Sequence, residues 1–197
     1  MKTARQRILS TFYPVLMRVS KWLGTKSQAL RNEGQVQPRE SLYNLSVVTY
    51  KKNIFPLVEW QGKKLLLVNT ASDCGYTEQY QELQQLLDTY KDRLQIIAFP
   101  SNDFKEQEKG SDEAILQFCK DNFGVSFPIA LKSRVKKGPQ QNSVFQWLSH
   151  KEKNGWNDQA PTWNFSKYLV NEKGMLTHYF DPSISPLSKE VQEAIKH

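Results

Sequence analysis

Residues 41–197 predict an α/β domain built on a mixed β-sheet with helices on both faces. Three observations carry this expectation. Lys64–Val68 and Leu94–Phe99 are near-continuous apolar runs of strand length, the pattern of strands buried on both sides. Segments of helical spacing lie between and after them. The chain then closes with a hairpin pattern and one more helix, and strands interleaved with helices in this way stack into layers.

The elements follow in order. Val47–Tyr50 and Ile54–Val58 are strand-like runs joined by Lys51-Lys52-Asn53, which suggests a hairpin. The strand at Lys64–Val68 leads into a short loop carrying Cys74. After Thr77, the residues Tyr80, Leu83, Leu86, Leu87 and Tyr90 share one helical face. Beyond the strand at Leu94–Phe99, Ser111 can cap a helix with Asp112 and Glu113 in its first turn and Gly124 at its end. Ile115, Phe118, Cys119 and Asn122 lie near one side of that helix. Asn142–His150 predicts a third helix, Ser166–Val170 and Met175–Phe180 a hairpin around Asn171-Glu-Lys-Gly174, and Ser188–Lys196 the closing helix.

Residues 1–40 read differently. Ile8, Leu9, Phe12, Val15, Leu16, Val19, Trp22 and Leu23 recur at spacings of three and four among Arg5, Arg7, Arg18 and Lys21. This predicts a basic amphipathic helix over residues 2–23, bent or restarted at Pro14. It is too short and too charged to span a bilayer. Peripheral contact with an anionic membrane surface is one expectation, and packing on its own domain or on a partner is the other. A secretory signal fits less well, because Arg18 and Lys21 follow the apolar stretch at once. Residues 24–40 are polar and aperiodic and read as a linker, so the expected division is an extension at 1–40 and a domain at 41–197.

Charge narrows the function. The formal net charge is +7, but seven of the 27 basic residues precede Glu33 and none of the 20 acidic ones do, which leaves residues 33–197 balanced. A nucleic-acid partner is therefore not expected, since phosphate tracking needs basic excess on a folded surface. The two cysteines, Cys74 and Cys119, belong to no Cys-x-x-Cys pair. His150, His178 and His197 are scattered, so neither a metal site nor a cofactor is implied. Any two cysteines can also be plain buried apolar residues.

Cys74 stands out by position. It lies between a buried strand and a helix expected to begin near Thr77, where backbone N–H groups and a helix dipole favour thiolate, the reactive form. Gly75 allows close backbone approach.

The surrounding residues add a resemblance. Val68-Asn-Thr-Ala-Ser-Asp-Cys-Gly-Tyr-Thr77 with Gln79-Tyr80 resembles the active-site signature of the glutathione peroxidase family. Phe99-Pro-Ser-Asn-Asp-Phe104 with Gln107-Glu108-Lys-Gly-Ser-Asp112 is similar to that family's second block, and Trp163-Asn-Phe165 with Lys167-Tyr-Leu-Val170 to its third. The resemblance covers about residues 41–195 and implies a thioredoxin-like fold and reduction of a hydroperoxide to water or an alcohol. It places Cys74 as the peroxidatic residue, with Gln107, Trp163 and Asn164 as the polar groups around it. Such neutral donors would hold a thiolate and then a departing oxyanion without titrating themselves.

Phe118-Cys119 before Gly124-Val-Ser-Phe-Pro128 also resembles the family's second-cysteine context. This implies that Cys119 resolves the oxidised Cys74 as a disulfide, with thioredoxin as reductant and glutathione as the alternative. A buried filler is the other reading of Cys119. Three departures stand out: Ser101 where many relatives have cysteine, Asp103 for a common glutamine, and Lys105-Glu106 for a glycine-containing pair. The Ala130–Gln146 stretch is short, without the long insertion of the family's tetrameric members, so the resemblance implies a monomer, and the expected location is the cytoplasm, with membrane-peripheral contact through residues 2–23. Rival readings are a redox relay that passes its disulfide to a client protein, and a membrane-surface module whose domain is a retired enzyme.

Overall fold

The computed structural model describes residues 2–22, 28–50 and 53–197. Leu23 of the amphipathic pattern, residues 24–27 of the expected linker and the Lys51-Lys52 turn lie outside them. Elements in chain order are α1 (Ala4–Trp22), β1 (Ala29–Arg31), β2 (Ser46–Val48), β3 (Ile54–Pro56), β4 (Lys64–Thr70), α2 (Gln79–Tyr90), β5 (Leu94–Pro100), α3 (Asp112–Phe123), α4 (Ser143–Ser149), α5 (Lys151–Asn154), β6 (Lys167–Val170), β7 (Leu176–Phe180) and α6 (Lys189–Lys196).

Five strands form a mixed sheet in the order β1-β7-β6-β4-β5, with β4 parallel to β5 and antiparallel to β6. Side chains of a strand alternate between faces, and β4 shows how the core divides. Leu66 and Val68 pack with Tyr80, Leu83, Ile115, Cys119, Val191 and Ile195 under α2, α3 and α6. Leu65 and Leu67 pack with Phe145, Trp147, Leu148 and Tyr168 under α4. All seven residues of β4 are buried, as a strand covered on both sides requires. The expected mixed sheet with helices on both faces is therefore present.

Register decides where the functional loops meet. Thr70 at the end of β4 pairs with Pro100 at the end of β5, and Val68 pairs with Lys167 at the start of antiparallel β6. The loops after β4 and β5 and the loop before β6 thus emerge at one end of the sheet.

The helix caps follow their residues. Ser111 Oγ accepts from the Ala114 N–H at 3.3 Å, and Gly124 ends α3 in the left-handed region at φ 62°. Asn142 caps α4, and Ser188 caps α6. Two expectations change. The Ile54 strand stops at Pro56 because Leu57–Trp60 turn into a 3₁₀ segment. Ala29–Arg31, read as linker, form the edge strand β1 antiparallel to β7, because an edge strand needs only backbone hydrogen bonds to its neighbour.

α1 runs unbroken through Pro14. Its start is a capping box: the Gln6 N–H donates to Thr3 Oγ1 at 3.2 Å while the Thr3 N–H donates to Gln6 Oε1 at 2.8 Å. The helix packs on its own domain, with Tyr13 buried and its hydroxyl donating to Glu82 at 2.8 Å.

Lys167 is fully buried and donates to Gln79 Oε1 at 2.9 Å and to the Phe165 carbonyl at 2.7 Å. Burial pushes its amine down to about 7, against the pull of Asp181 and Glu82. Between that value and the ordinary 10.5 the unfolded chain binds a proton here that the folded chain lacks, so stability rises with pH across this window. Below about pH 7 the cost of burying the cation is present in full. Lys167→Met should flatten this rise, which urea titrations of both proteins between about pH 7 and 10 will read as a smaller wild-type-like gain in the variant.

Candidate active site

Cys74 sits in the loop after β4 with its side chain buried. Its own N–H donates to Thr77 Oγ1 at 3.0 Å, and the Thr77 hydroxyl donates on to the Ala71 carbonyl at 3.0 Å. These bonds curl the loop so that the Tyr76 N–H points at Cys74 Sγ, 3.5 Å away. α2 begins at Gln79, five residues beyond the thiol, so the contact that reaches sulfur is this single turn N–H rather than the open end of the helix.

The loop before β6 is fastened by Asn69, a fully buried side chain inside β4. Its amide donates to the Trp163 carbonyl at 3.0 Å and its oxygen accepts from the Ser166 N–H at 3.1 Å, while its own carbonyl accepts from the Phe165 N–H at 2.6 Å. Phe165 is held at φ 68°, a left-handed conformation uncommon for a bulky residue, and the Lys167 amine grips its carbonyl. This turn brings Trp163 and Asn164 to the Cys74 side of the sheet, where both favour the thiolate electrostatically. Asn164 Nδ2 also donates to Gln107 Oε1 at 2.9 Å, and Asn164 Oδ1 is buried without a hydrogen-bond partner among the described residues.

The loop after β5 brings Gln107. The Asp73 N–H donates to the Gln107 carbonyl at 3.1 Å, and the Ser72 hydroxyl donates to Glu108 at 3.0 Å, which ties the Cys74 loop to this one. Glu108 is 1% exposed, and burial raises its carboxyl to about 7 against the hydrogen bonds from Ser72. The sequence departures fit locally. Asp103 accepts from the Val135 and Lys136 N–H groups at 2.7 and 3.0 Å, and Ser101 Oγ accepts from the Asp103 N–H. Lys105 and Glu106 both adopt positive φ, 50° and 51°, where glycine meets no steric cost, and Lys105 lies over the Trp163 ring at 5.6 Å.

Four residues singled out from the sequence, Cys74, Gln107, Trp163 and Asn164, are thus brought together. The expected thiolate is not what this state favours: burial pushes the Cys74 thiol up, and the Tyr76 N–H, Asn164 and Trp163 only partly oppose it. Donor groups can be counted along a sequence, whereas the desolvation that outweighs them comes from whatever packs over the loop. Cys119 lies on α3 as expected, with a buried side chain and a free thiol. Burial pushes its thiol up to about 12, although the adjacent Tyr80 hydroxyl favours its anion. That hydroxyl and Thr70 Oγ1 complete no hydrogen bond among the described residues. Asn69, Thr77 and Glu108 were not singled out. A polar asparagine inside a buried strand run was the available signal, since it has no reason to be there unless its amide is used.

The family model for glutathione peroxidase matches residues 42–149, more than half of the chain. The chain belongs to the glutathione peroxidase family. It is 41% identical over 157 residues to a glutathione peroxidase-like peroxiredoxin of Saccharomyces cerevisiae, covering 78% of this chain and 96% of that protein. A glutathione peroxidase homolog of Bacillus subtilis is 37% identical over 156 residues, 79% of this chain and 96% of the other. Among solved structures, Trgpx in apo form superposes with TM-score 0.60 at 29% identity, over 81% of this chain and 97% of that one. A DsbF homologue from Corynebacterium diphtheriae shares the thioredoxin-like fold, with TM-score 0.60 at 14% identity over 88% and 92% of the two chains. The domain is accordingly a thioredoxin-like thiol peroxidase, an oxidoreductase that consumes a peroxide at the expense of a thiol reductant.

Proposed function

We propose that Cys74 is the peroxidatic residue and that Cys119 resolves it. The observation that carries this reading is the Tyr76 N–H on the Cys74 sulfur, with Asn164 and Trp163 favouring its anion and Gln107 bonded to Asn164. The Cys74 thiolate attacks one peroxide oxygen and the O–O bond breaks. The departing alkoxide or hydroxide takes a proton to leave as alcohol or water, and Cys74 becomes a sulfenic acid. The uncharged donors hold the sulfur anion before the step and face the developing oxyanion during it.

The Cys119 thiolate then attacks the Cys74 sulfur and expels the sulfenic oxygen as hydroxide, which takes a proton to leave as water, and a Cys74–Cys119 disulfide forms. A dithiol such as thioredoxin returns both sulfurs to thiols by exchange. Cys119 is buried on an intact α3, so this step needs that helix to open locally. Two free cysteines suit a cycle run in the reducing cytoplasm, by a monomer that touches membranes peripherally through residues 2–23. Among the described residues no helix is long and apolar enough to cross a membrane.

Peroxide added in stoichiometric amount to the reduced chain should remove both free thiols and yield one linked peptide pair containing Cys74 and Cys119, read by mass spectrometry after digestion. Sulfenic acid accumulating at Cys74 with Cys119 untouched would remove the second cysteine from the scheme.

A further inference from the structure

The N-terminal helix lies across the peroxidatic loop. Lys2 pairs with Glu78 at 2.6 Å and sits over the Phe123 ring at 4.5 Å, Arg5 reaches Asp73 at 3.3 Å, and the Gln6 amide donates to the Ser72 carbonyl at 2.9 Å. Gln6, Leu9 and Ser10 close over Cys74, Gly75 and Phe118 with no room for a water between them. Cys74 is 1% exposed in consequence of its loop and this cover, and α1 also presses on Phe118, the neighbour of Cys119. A peroxide entering from this side, and α3 when it opens, both meet the helix.

The opposite side of α1 is exposed among the described residues. Ile8, Phe12 and Val15 form a stripe at i, i+4 and i+7 and are 59%, 60% and 52% exposed. Arg5 and Arg7 flank it, and no acidic residue occurs before Glu33. From these observations we propose that α1 is a lid on Cys74 that an anionic phospholipid bilayer lifts away. The proposal rests on the membrane contact stated above and assigns it a consequence at the thiol.

Two arguments favour exchange over simultaneous binding. The apolar residues of α1 occupy both its outer face (Ile8, Phe12, Val15) and its inner one (Leu9, Tyr13), and a bilayer can bury the two sets together only after the helix leaves the domain. Beside the Gln6–Ser72 and Tyr13–Glu82 hydrogen bonds, the lid is held shut by cations on carboxylates, and lipid phosphates offer Lys2 and Arg5 the same chemistry in greater number. Ion pairs near the surface contribute little to holding the lid, whereas burying an exposed Ile, Phe or Val side chain is strongly favourable. Lifting the lid also relieves the burial that holds the Cys74 thiol up, so the opened site holds more thiolate.

The test uses the full chain carrying Cys119→Ser, in which Cys74 is the single thiol, and follows its alkylation by a maleimide. Phosphatidylglycerol vesicles should co-sediment the protein and accelerate alkylation roughly tenfold, and phosphatidylcholine vesicles should do neither. Adding Ile8→Asp and Phe12→Asp, both on the outward face, should leave the lipid-free rate unchanged and abolish the acceleration. Adding Lys2→Glu and Arg5→Glu should raise the lipid-free rate by breaking the closing ion pairs. Co-sedimentation without acceleration would overturn the lid and leave membrane contact standing, and absence of co-sedimentation would overturn both. Peroxide turnover measured without lipid tests the peroxidase scheme independently of either result.

Discussion

Cys74→Ser will lower hydroperoxide consumption by roughly a thousandfold or more with any reductant, while the fold persists. Serine is nearly the same size, and the bonds that shape the loop use the Cys74 backbone and Thr77 rather than the sulfur. A hydroxyl at this position cannot accept an oxygen atom from a peroxide as a thiolate does, and its proton is held far more tightly. The measurement is steady-state peroxide loss with thioredoxin and its reductase, accompanied by circular dichroism. Retained turnover in a folded variant would move the chemistry away from this loop. In the wild type the rate should climb with pH through and above neutrality, because burial raises the Cys74 thiol and the anion is the smaller population until the pH approaches that raised value.

Cys119→Ser should separate the two reductants. With thioredoxin as the sole electron source, turnover should fall by roughly a hundredfold, because the sulfenic acid at Cys74 then has no neighbouring thiol to form the disulfide that a dithiol protein attacks. Millimolar glutathione should restore part of the rate by forming a mixed disulfide directly. The buried Cys119 thiol, pushed up to about 12, makes resolution by the wild type depend on α3 opening, which hydrates the thiol and frees it from the core. Unchanged thioredoxin-driven turnover in the variant would leave Cys119 as a core residue and nothing more.

Much of this architecture was legible in the residues. β4 and β5 announced themselves as buried runs, and Ser111 and Gly124 bracketed α3 within a residue of where it starts and stops. The grouping of Cys74 with Gln107, Trp163 and Asn164 came from resemblance, since Cys74 lies 33 residues from Gln107 and 90 from Asn164 and such positions can be joined only by knowing the sheet register. What escaped were features whose cause is tertiary. β1 has three residues and no alternation that could mark it, and it exists because the β7 edge offers backbone partners. Asn69 and Lys167 look like interruptions of apolar strands until the turn at Phe165 is seen to need both. The protonation of Cys74 depends on what covers the loop, and its local sequence contains no information about α1.

The short strand β1 has a further consequence. Ala29 is stitched to Phe180 at the rim of the sheet, and seven peptide steps separate it from Trp22 at the end of α1. Even drawn out straight, that leash reaches only about 25 Å. A helix lifted from the domain, as proposed, stays tethered near that corner of the molecule, and its return to the thiol is a unimolecular event whose rate is indifferent to how dilute the protein becomes.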